Sequence, residues 1–138
     1  MLMDTQVDDM IGLASAARSK AYAPYSEFDV GAAVECKSGA VFAGANIKNR
    51  SLGLTIFAER VAMGAAVAGG ERDFIAIAVT SNSDQPIAPC GACRQFLAEF
   101  NPDLIIVSPT VHGERKIGSL SRLLPESTRG ILKHVDPS

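Results

Sequence analysis

The chain contains 138 residues, of which 47% are hydrophobic and 20% are charged. This composition excludes a disordered or low-complexity chain, and the length predicts a single domain over residues 1–138. The formal net charge is −2 and no basic run stands out, so we expect neither a nucleic-acid binder nor a polybasic membrane binder. No apolar run approaches the roughly 18 residues that cross a bilayer. Because no signal-peptide pattern is visible and the cysteine count is odd, we expect a cytoplasmic protein.

The first third of the chain predicts a helix followed by a β-hairpin. Apolar side chains recur at helical spacing over residues 4–20, with Asp4 or Thr5 as the expected N-cap. Two strands and the turn between them follow, over 28–35, 37–39 and 40–45. The turn residues Lys37-Ser38-Gly39 make this strand pair an antiparallel hairpin.

The remainder of the chain alternates helices with apolar strands. The expected elements are a helix over 55–67 that stops at Gly69-Gly70, a strand over 74–79, a helix over 90–100, a strand over 104–107, a polar hairpin-like stretch and a short helix over 120–124. The continuous apolar run at 74–79 is typical of a strand that is buried on both faces. This order of elements predicts an α/β protein, a three-layer α/β/α sandwich around one mixed sheet.

Cys90 and Cys93 form the sharpest local feature, within Pro89-Cys90-Gly91-Ala92-Cys93. Two thiols three residues apart at the start of a helix can reach one metal ion, and the helix N-terminus favours thiolate over thiol. Two other interpretations stay open, namely buried cysteines that pack as small hydrophobic side chains and a redox dithiol. The third cysteine, Cys36, is expected at the far end of the first strand.

Glu59 is the second candidate, in Phe57-Ala58-Glu59-Arg60 at the start of the preceding helix. A carboxylate in a first helical turn can be present simply because the helix dipole favours it. Here, however, the Glu59 helix start is followed by a buried strand and then by the Cys90 helix start. Two parallel crossovers of this kind aim both helix N-termini at one crevice beside the sheet. We therefore predict that Glu59 shares one site with Cys90 and Cys93.

Six short motifs between residues 23 and 95 carry a family resemblance that covers about residues 7 to 125. They are Ala23-Pro24-Tyr25-Ser26, Phe28-x-Val30-Gly31-Ala32-Ala33, Gly44-x-Asn46, Asn49-x-Ser51, Ala58-Glu59-Arg60 and Pro89-Cys90-Gly91-Ala92-Cys93-Arg94-Gln95. In order and spacing, these motifs resemble those of the small homotetrameric cytidine deaminases. The resemblance implies the cytidine-deaminase-like fold with a mixed five-stranded sheet, a homotetramer, and a small-molecule nucleoside as the substrate.

The resemblance also implies a role for each matching residue. In that family, Zn²⁺ held by three protein ligands activates the water that attacks C4 of the pyrimidine, and a nearby Glu that is not a ligand moves the proton. Cys90 and Cys93 match two thiolate ligands, and Glu59 matches the proton shuttle. The other matches are Asn46 for the ribose, Phe28 for the wall of the base pocket, the Ala58 backbone for the pyrimidine edge, Arg60 for neutralising the thiolates, and Tyr25 for a loop that completes a neighbouring subunit's pocket.

Three departures from the family pattern fall at positions that would face the substrate. The family's third zinc ligand, two residues before the Glu, is Phe57 here, and a phenyl ring has no donor atom. The family's ribose-binding Glu is Lys48, which could favour a phosphate or carboxylate on the ligand. The family's Phe three residues after Leu-Leu-Pro is missing, because Leu123-Leu124-Pro125 is followed by Glu126-Ser127-Thr128. Cys36, His112 and His134 are not expected to replace the missing ligand.

Phe57 leaves three interpretations of function open. The first is hydrolytic deamination of cytidine, 2′-deoxycytidine or a related nucleoside at an altered zinc site. Glu59 could become a replacement ligand there, but it would then no longer be free to move protons. The second is metal-free N-glycosidic hydrolysis of a nucleoside with Glu59 as acid or base. Burial raises and the helix dipole lowers the pKa of such a carboxyl, and the sequence leaves the direction open. The third is a non-catalytic nucleoside-binding homologue.

Overall fold

The computed structural model describes residues 2–82, 87, 89–110 and 112–127. Its elements in chain order are α1 (Asp4–Arg18), β1 (Val30–Cys36), β2 (Val41–Ala45), α2 (Ala58–Ala68), β3 (Phe74–Ser81), α3 (Gly91–Ala98), β4 (Ile105–Pro109), β5 (Arg115–Ser119) and α4 (Leu120–Leu123). Each predicted helix and strand is present within a few residues of its expected place. The polar hairpin-like stretch contains β5, which pairs with β4.

The start of α1 differs from the prediction. Met3, rather than Asp4 or Thr5, is the N-cap, and its side chain is apolar. The backbone N–H of Met3 donates instead to Oε1 of Gln6 at 2.8 Å. The predicted N-cap is therefore wrong, because a side chain one turn into the helix satisfies the backbone group at its start.

The start of α2 also lies later than predicted. A 3₁₀ turn over Leu52–Leu54 comes first, and the backbone N–H of Thr55 donates to the Leu52 carbonyl at 3.2 Å. The helix begins only at Ala58, with Phe57 as its N-cap in an extended conformation. The predicted start near Thr55 is thus too early by one helical turn.

The sheet has five strands in the order β2-β1-β3-β4-β5. β1 is antiparallel to both β2 and β3, β3 is parallel to β4, and β5 is antiparallel to β4. It follows that β2, β3 and β4 run in the same direction, and that the chain leaves β2 and β3 at the same edge of the sheet. Because α2 follows β2 and α3 follows β3, both helices begin there. We call this edge the helix-start edge.

The two faces of the sheet are covered by different helices, which confirms the three-layer α/β/α sandwich. α1 packs on one face, where the buried cluster consists of Val7, Met10, Ala14, Ala33, Ala76, Ala78 and Val107. α2, α3 and α4 cover the other face, where the largest buried side chains include Met63, Ile77, Leu97, Leu104 and Leu120. None of the described helices is long and apolar enough to cross a membrane.

Two glycines allow the helices to lie directly on the strands. A Cβ at Gly31 of β1 would overlap the carbonyl oxygen of Ala14 in α1. A Cβ at Gly44 of β2 would lie 2.6 Å from the backbone nitrogen of Ala62 in α2. The backbone of α2 therefore rests against β2 without an intervening side chain. This contact sets the position of the α2 start relative to the sheet.

Candidate active site

A cleft of about 140 Å³ opens at the helix-start edge. Its walls are formed by Phe28, Val30, Asn46, Lys48, Phe57, Ala58, Glu59, Ile87 and Cys90. An engineered protein cavity of about 150 Å³ is known to hold a benzene molecule. The cleft therefore has room for one six-membered ring.

Glu59 lies in the first turn of α2 and is only 5% exposed. Burial raises the pKa of its carboxyl above the ordinary value for glutamate. Hydrogen bonds from its own backbone N–H and from the Cys93 thiol, together with the positive charge of Arg60, lower the pKa by a smaller amount. The sequence left the direction of this pKa shift open. Burial has the largest effect, so the carboxyl keeps its proton to a higher pH than a free glutamate does.

Cys90 and Cys93 lie at the start of α3, beside Glu59. Cys90 is the N-cap and is exposed, whereas Cys93 is buried in the first turn. Burial, the charge of Glu59 and the neighbouring Cys90 raise the pKa of the Cys93 thiol far above its usual range. The expected stabilisation of the thiolate by the helix N-terminus is therefore outweighed at Cys93, because burial and the Glu59 carboxylate both oppose a second negative charge.

Phe57 is half-buried and forms the cleft wall next to Glu59. Two cations face its ring: the guanidinium carbon of Arg60 lies 5.0 Å from the ring centroid and Nζ of Lys48 lies 5.7 Å from it. One guanidinium nitrogen of Arg60 donates to the Thr55 carbonyl at 3.5 Å, while its buried Nε has no hydrogen-bond partner among the residues that the structure describes. The position of the family's third ligand is thus occupied by an aromatic ring with cations around it.

The donor groups near the cleft are few. Among the described residues, no three side chains of His, Cys, Asp or Glu are grouped so that they could hold a metal ion. Cys36 lies at the opposite edge, where β1 ends, and burial together with Glu71 raises the pKa of its thiol to about 11. His112 is exposed in the loop after β4, and His134 lies outside the described residues.

Asn46 follows β2 and is 1% exposed at the inner end of the cleft. Its Oδ1 accepts the backbone N–H of Val30 at 3.0 Å, and its Nδ2 donates to the Phe28 carbonyl at 2.9 Å. One N–H and one lone pair of the amide are left for a ligand. Phe28, which is partly exposed, and the buried Ala58 also line the cleft, as the sequence predicts.

Tyr25 lies outside the cleft of its own chain. It is exposed, and its hydroxyl accepts a hydrogen bond from Nε of Arg50 at 3.0 Å. Its expected role in a neighbouring subunit's pocket stays a prediction. Val30 and Ile87 line the cleft but were not among the predicted site residues. The two-residue alternation of a strand, which places Val30 on the same side as Phe28, is the signal that could have identified Val30.

Comparison with known proteins points to one family. Residues 4–109 match the family model described as "Cytidine and deoxycytidylate deaminase zinc-binding region". The cytidine deaminase of Halalkalibacterium halodurans is 47% identical over 124 residues, which cover 89% of this chain and 92% of that protein. The cytidine deaminase of Sporosarcina psychrophila is 40% identical over 120 residues, which cover 86% and 88%.

Solved structures agree with these matches. The 1.6 Å crystal structure of cytidine deaminase from Burkholderia pseudomallei superimposes with a TM-score of 0.83 at 48% sequence identity. The superposition covers 86% of this chain and 96% of that one. Taken with the five-stranded sheet and the two helix starts that meet at one cleft, these likenesses show that the chain belongs to the cytidine and deoxycytidylate deaminase family.

Proposed function

We propose that this chain is an enzyme that binds a pyrimidine nucleoside of the cytidine type and hydrolyses it in the cleft. The observation that carries the proposal is a buried carboxyl, Glu59, in the wall of a cleft that holds one six-membered ring. The relatives that bear the name cytidine deaminase, at 40% and 47% identity, support the same substrate class.

The reaction that we propose first is deamination. Water adds its oxygen to C4 of cytidine or 2′-deoxycytidine, the C4–N bond breaks, and uridine and ammonia are the products. Glu59 takes a proton from the attacking water and passes it to N3, and the proton of the resulting C4 hydroxyl then moves through Glu59 to the departing amino group. Phe28 and Phe57 flank the ring, the Ala58 backbone contacts its edge, and Asn46 offers its remaining N–H to the sugar.

The side chains present do not fit a complete zinc centre of the family. Catalytic zinc takes three protein ligands and one water. Cys90 and Cys93 supply two thiols, while Phe57 supplies no donor. We therefore propose that the zinc site is altered, and we derive the proton transfer from Glu59 alone. If Glu59 itself became the third ligand, its carboxylate would no longer be available as the base.

A second reaction is favoured by the same missing donor. Hydrolysis of the N-glycosidic bond needs an acid or base near the anomeric carbon but no metal ion. Glu59 would activate water toward that carbon, the bond between the sugar and the base would break, and the base would leave with a proton. The products would be the free base and the sugar.

Incubation of the purified protein with cytidine, followed by chromatography, tests both reactions. Uridine with ammonia establishes deamination, and cytosine with ribose establishes glycosidic hydrolysis. Unchanged cytidine would contradict an enzymatic function and would leave the interpretation as a nucleoside-binding protein. Zinc content, measured on the same sample, shows whether the altered site still binds metal, and about one zinc per chain would contradict our view of the donor set.

We further propose a homotetramer in the cytoplasm, with no nucleic-acid or membrane partner. Several large apolar side chains near the cleft are exposed, namely Tyr22, Ile47, Leu52, Leu54 and Ile56. Exposed apolar patches of this kind are typical of protein interfaces. Light scattering would test the assembly, since a tetramer has about four times the chain mass of 14.5 kDa.

A further inference from the structure

Lys48 carries a positive charge in the cleft wall, and no carboxylate of the described residues pairs with it. Its side chain is half-buried, and its backbone N–H donates to the Tyr22 carbonyl at 2.8 Å, which fixes the segment after β2. Its ammonium faces the Phe57 ring, at 5.7 Å from the centroid. A partly buried ammonium with so weak a partner has unused capacity to bind an anion.

The charge around Lys48 also favours an anion. Arg60 faces the same Phe57 ring at 5.0 Å, so the two cations repel each other across the aromatic side chain. The N-terminus of α2, an 11-residue helix, adds a positive partial charge at the same edge. Glu59 is the single acidic residue among the described residues that line the cleft. Lys48 and Glu59 are thus the charged side chains among the described residues of the cleft wall, and Arg60 and the α2 N-terminus add positive charge next to it.

The size of the cleft indicates where that anion would lie. The cleft, at about 140 Å³, has the size of a six-membered ring, so we expect the sugar of a bound nucleoside and its substituents to lie outside it. Asn46 is almost completely buried, whereas Lys48, two residues further along the chain, is half-buried. Of these two lining residues, Lys48 is therefore the one that a group extending from the cleft into solvent can reach.

We propose that Lys48 binds an anionic group on the sugar of the substrate, and that this chain prefers a pyrimidine nucleoside monophosphate to the neutral nucleoside. The inference rests on the proposed function, since it assumes that a pyrimidine occupies the cleft. An ammonium forms charge-assisted hydrogen bonds with phosphate oxygens, which are stronger than those with a neutral hydroxyl. Lys48 is thus a specificity-determining residue for the part of the substrate outside the ring cavity.

Equilibrium binding of a matched ligand set tests the proposal. Dissociation constants are measured by calorimetry for cytidine, cytidine 5′-monophosphate, cytidine 3′-monophosphate and inorganic phosphate. We expect one of the two nucleotides to bind about tenfold or more tightly than cytidine at low salt. The preference should shrink as the ionic strength rises. Inorganic phosphate alone should bind far more weakly than that nucleotide, because the ring contributes to binding as well.

Charge variants show whether Lys48 is responsible. Lys48→Glu should lower the ratio of nucleotide to nucleoside affinity by about tenfold or more, and Lys48→Gln should bring it close to one. The matched control is Lys37→Glu, which makes the same charge change in the exposed turn at the opposite end of β1. It should leave the ratio unchanged. Circular dichroism of each variant confirms that it is folded.

The outcomes separate this inference from the proposed function. If the protein binds or hydrolyses cytidine but binds neither nucleotide more tightly, the role of Lys48 is wrong and the proposed function stands. If the nucleotide preference survives Lys48→Glu, the role of Lys48 is likewise wrong. Equal affinity for inorganic phosphate and for the nucleotides would overturn it too, because the anion site would then act without the nucleoside. If no cytidine compound binds at all, both proposals fail together.

Discussion

The starts of α2 and α3 occupy comparable places in the fold but carry different side chains. Both helices begin at the same edge of the sheet, and both N-cap residues have an extended backbone, with ψ of 151° at Phe57 and 171° at Cys90. The α3 start carries two thiols, of which Cys90 lines the cleft and Cys93 is buried, whereas the α2 start presents a carboxyl and a phenyl ring. The topology thus brings the two helix starts together, and we propose that the residue at one N-cap, Phe57, prevents them from forming a complete metal centre.

The largest effect is expected from the carboxyl at the α2 start. Glu59→Gln keeps the size of the side chain but removes the group that accepts and donates a proton. We expect kcat/KM for cytidine hydrolysis, by either reaction, to fall about 10²–10⁴-fold. Glu99→Gln, in the exposed C-cap of α3, is the control and should retain full activity. Activity that survives Glu59→Gln would contradict the proposed proton transfer.

The next largest effect is expected when the α2 start, like the α3 start, carries a thiol. Phe57→Cys places a third sulfur donor opposite Cys90 and Cys93. A structural zinc site binds with roughly 10–16 kcal/mol, so one added ligand should contribute about 3–4 kcal/mol, a hundred- to thousand-fold gain in zinc affinity. Competition with a coloured chelator measures this affinity.

Phe57→Ala is the matched control for that variant, because it removes the ring without adding a donor. It should not gain zinc affinity. If the unaltered protein already binds zinc as tightly as Phe57→Cys does, then the difference between the two helix starts does not affect metal binding, and our interpretation of Phe57 is wrong.

A smaller effect is expected from moving the α2 start relative to the α3 start. The added methyl group in Gly44→Ala would lie 2.6 Å from the backbone nitrogen of Ala62, so α2 must shift away from β2. We expect the free energy of unfolding to fall by about 1–3 kcal/mol, measured by urea denaturation. Gly12→Ala, in α1 with no atom within 4 Å of the new methyl group, should instead stabilise the protein by about 0.5–1 kcal/mol.

The smallest effect is expected at the α3 start. Cys90→Ser replaces an exposed thiol that, without a third donor nearby, is not expected to hold a catalytic metal ion. Turnover of cytidine should change by less than about threefold. A loss as large as that of Glu59→Gln, reversed by added zinc, would show that the two helix starts do cooperate through a metal ion.

Most of the fold could be predicted from the sequence because its periodic patterns are strong. The apolar run at 74–79 and the glycine pair after α2 locate β3 and the end of α2 without tertiary information. The two crossovers also predict that Glu59 and Cys90 meet, since parallel strands release their helices at one edge. Those inferences depend on local patterns and on chain direction alone.

Other features depend on contacts between distant segments and could not be read from local patterns. The direction of the Glu59 pKa shift requires the depth of burial, which α3 and the sheet determine together. The predicted N-cap of α1 was wrong because the Gln6 side chain accepts the backbone N–H of Met3. A prediction based only on the type of the capping residue does not consider such a bond. The two hydrogen bonds between the Asn46 amide and the backbone likewise require that the start of β1 lies beside the end of β2.

That amide has a consequence for how selectivity could change in this protein. The Asn46 side chain accepts the backbone N–H of Val30 and donates to the Phe28 carbonyl. It thereby connects the start of β1 to the segment that leads to Lys48. The cleft wall at Phe28 and Val30, which we propose binds the ring, and Lys48, which we propose binds the outer substituent, are therefore connected through Asn46. Replacing Asn46 should disturb both recognitions at once, whereas exchanging Lys48 or Phe28 alone can tune one and spare the other.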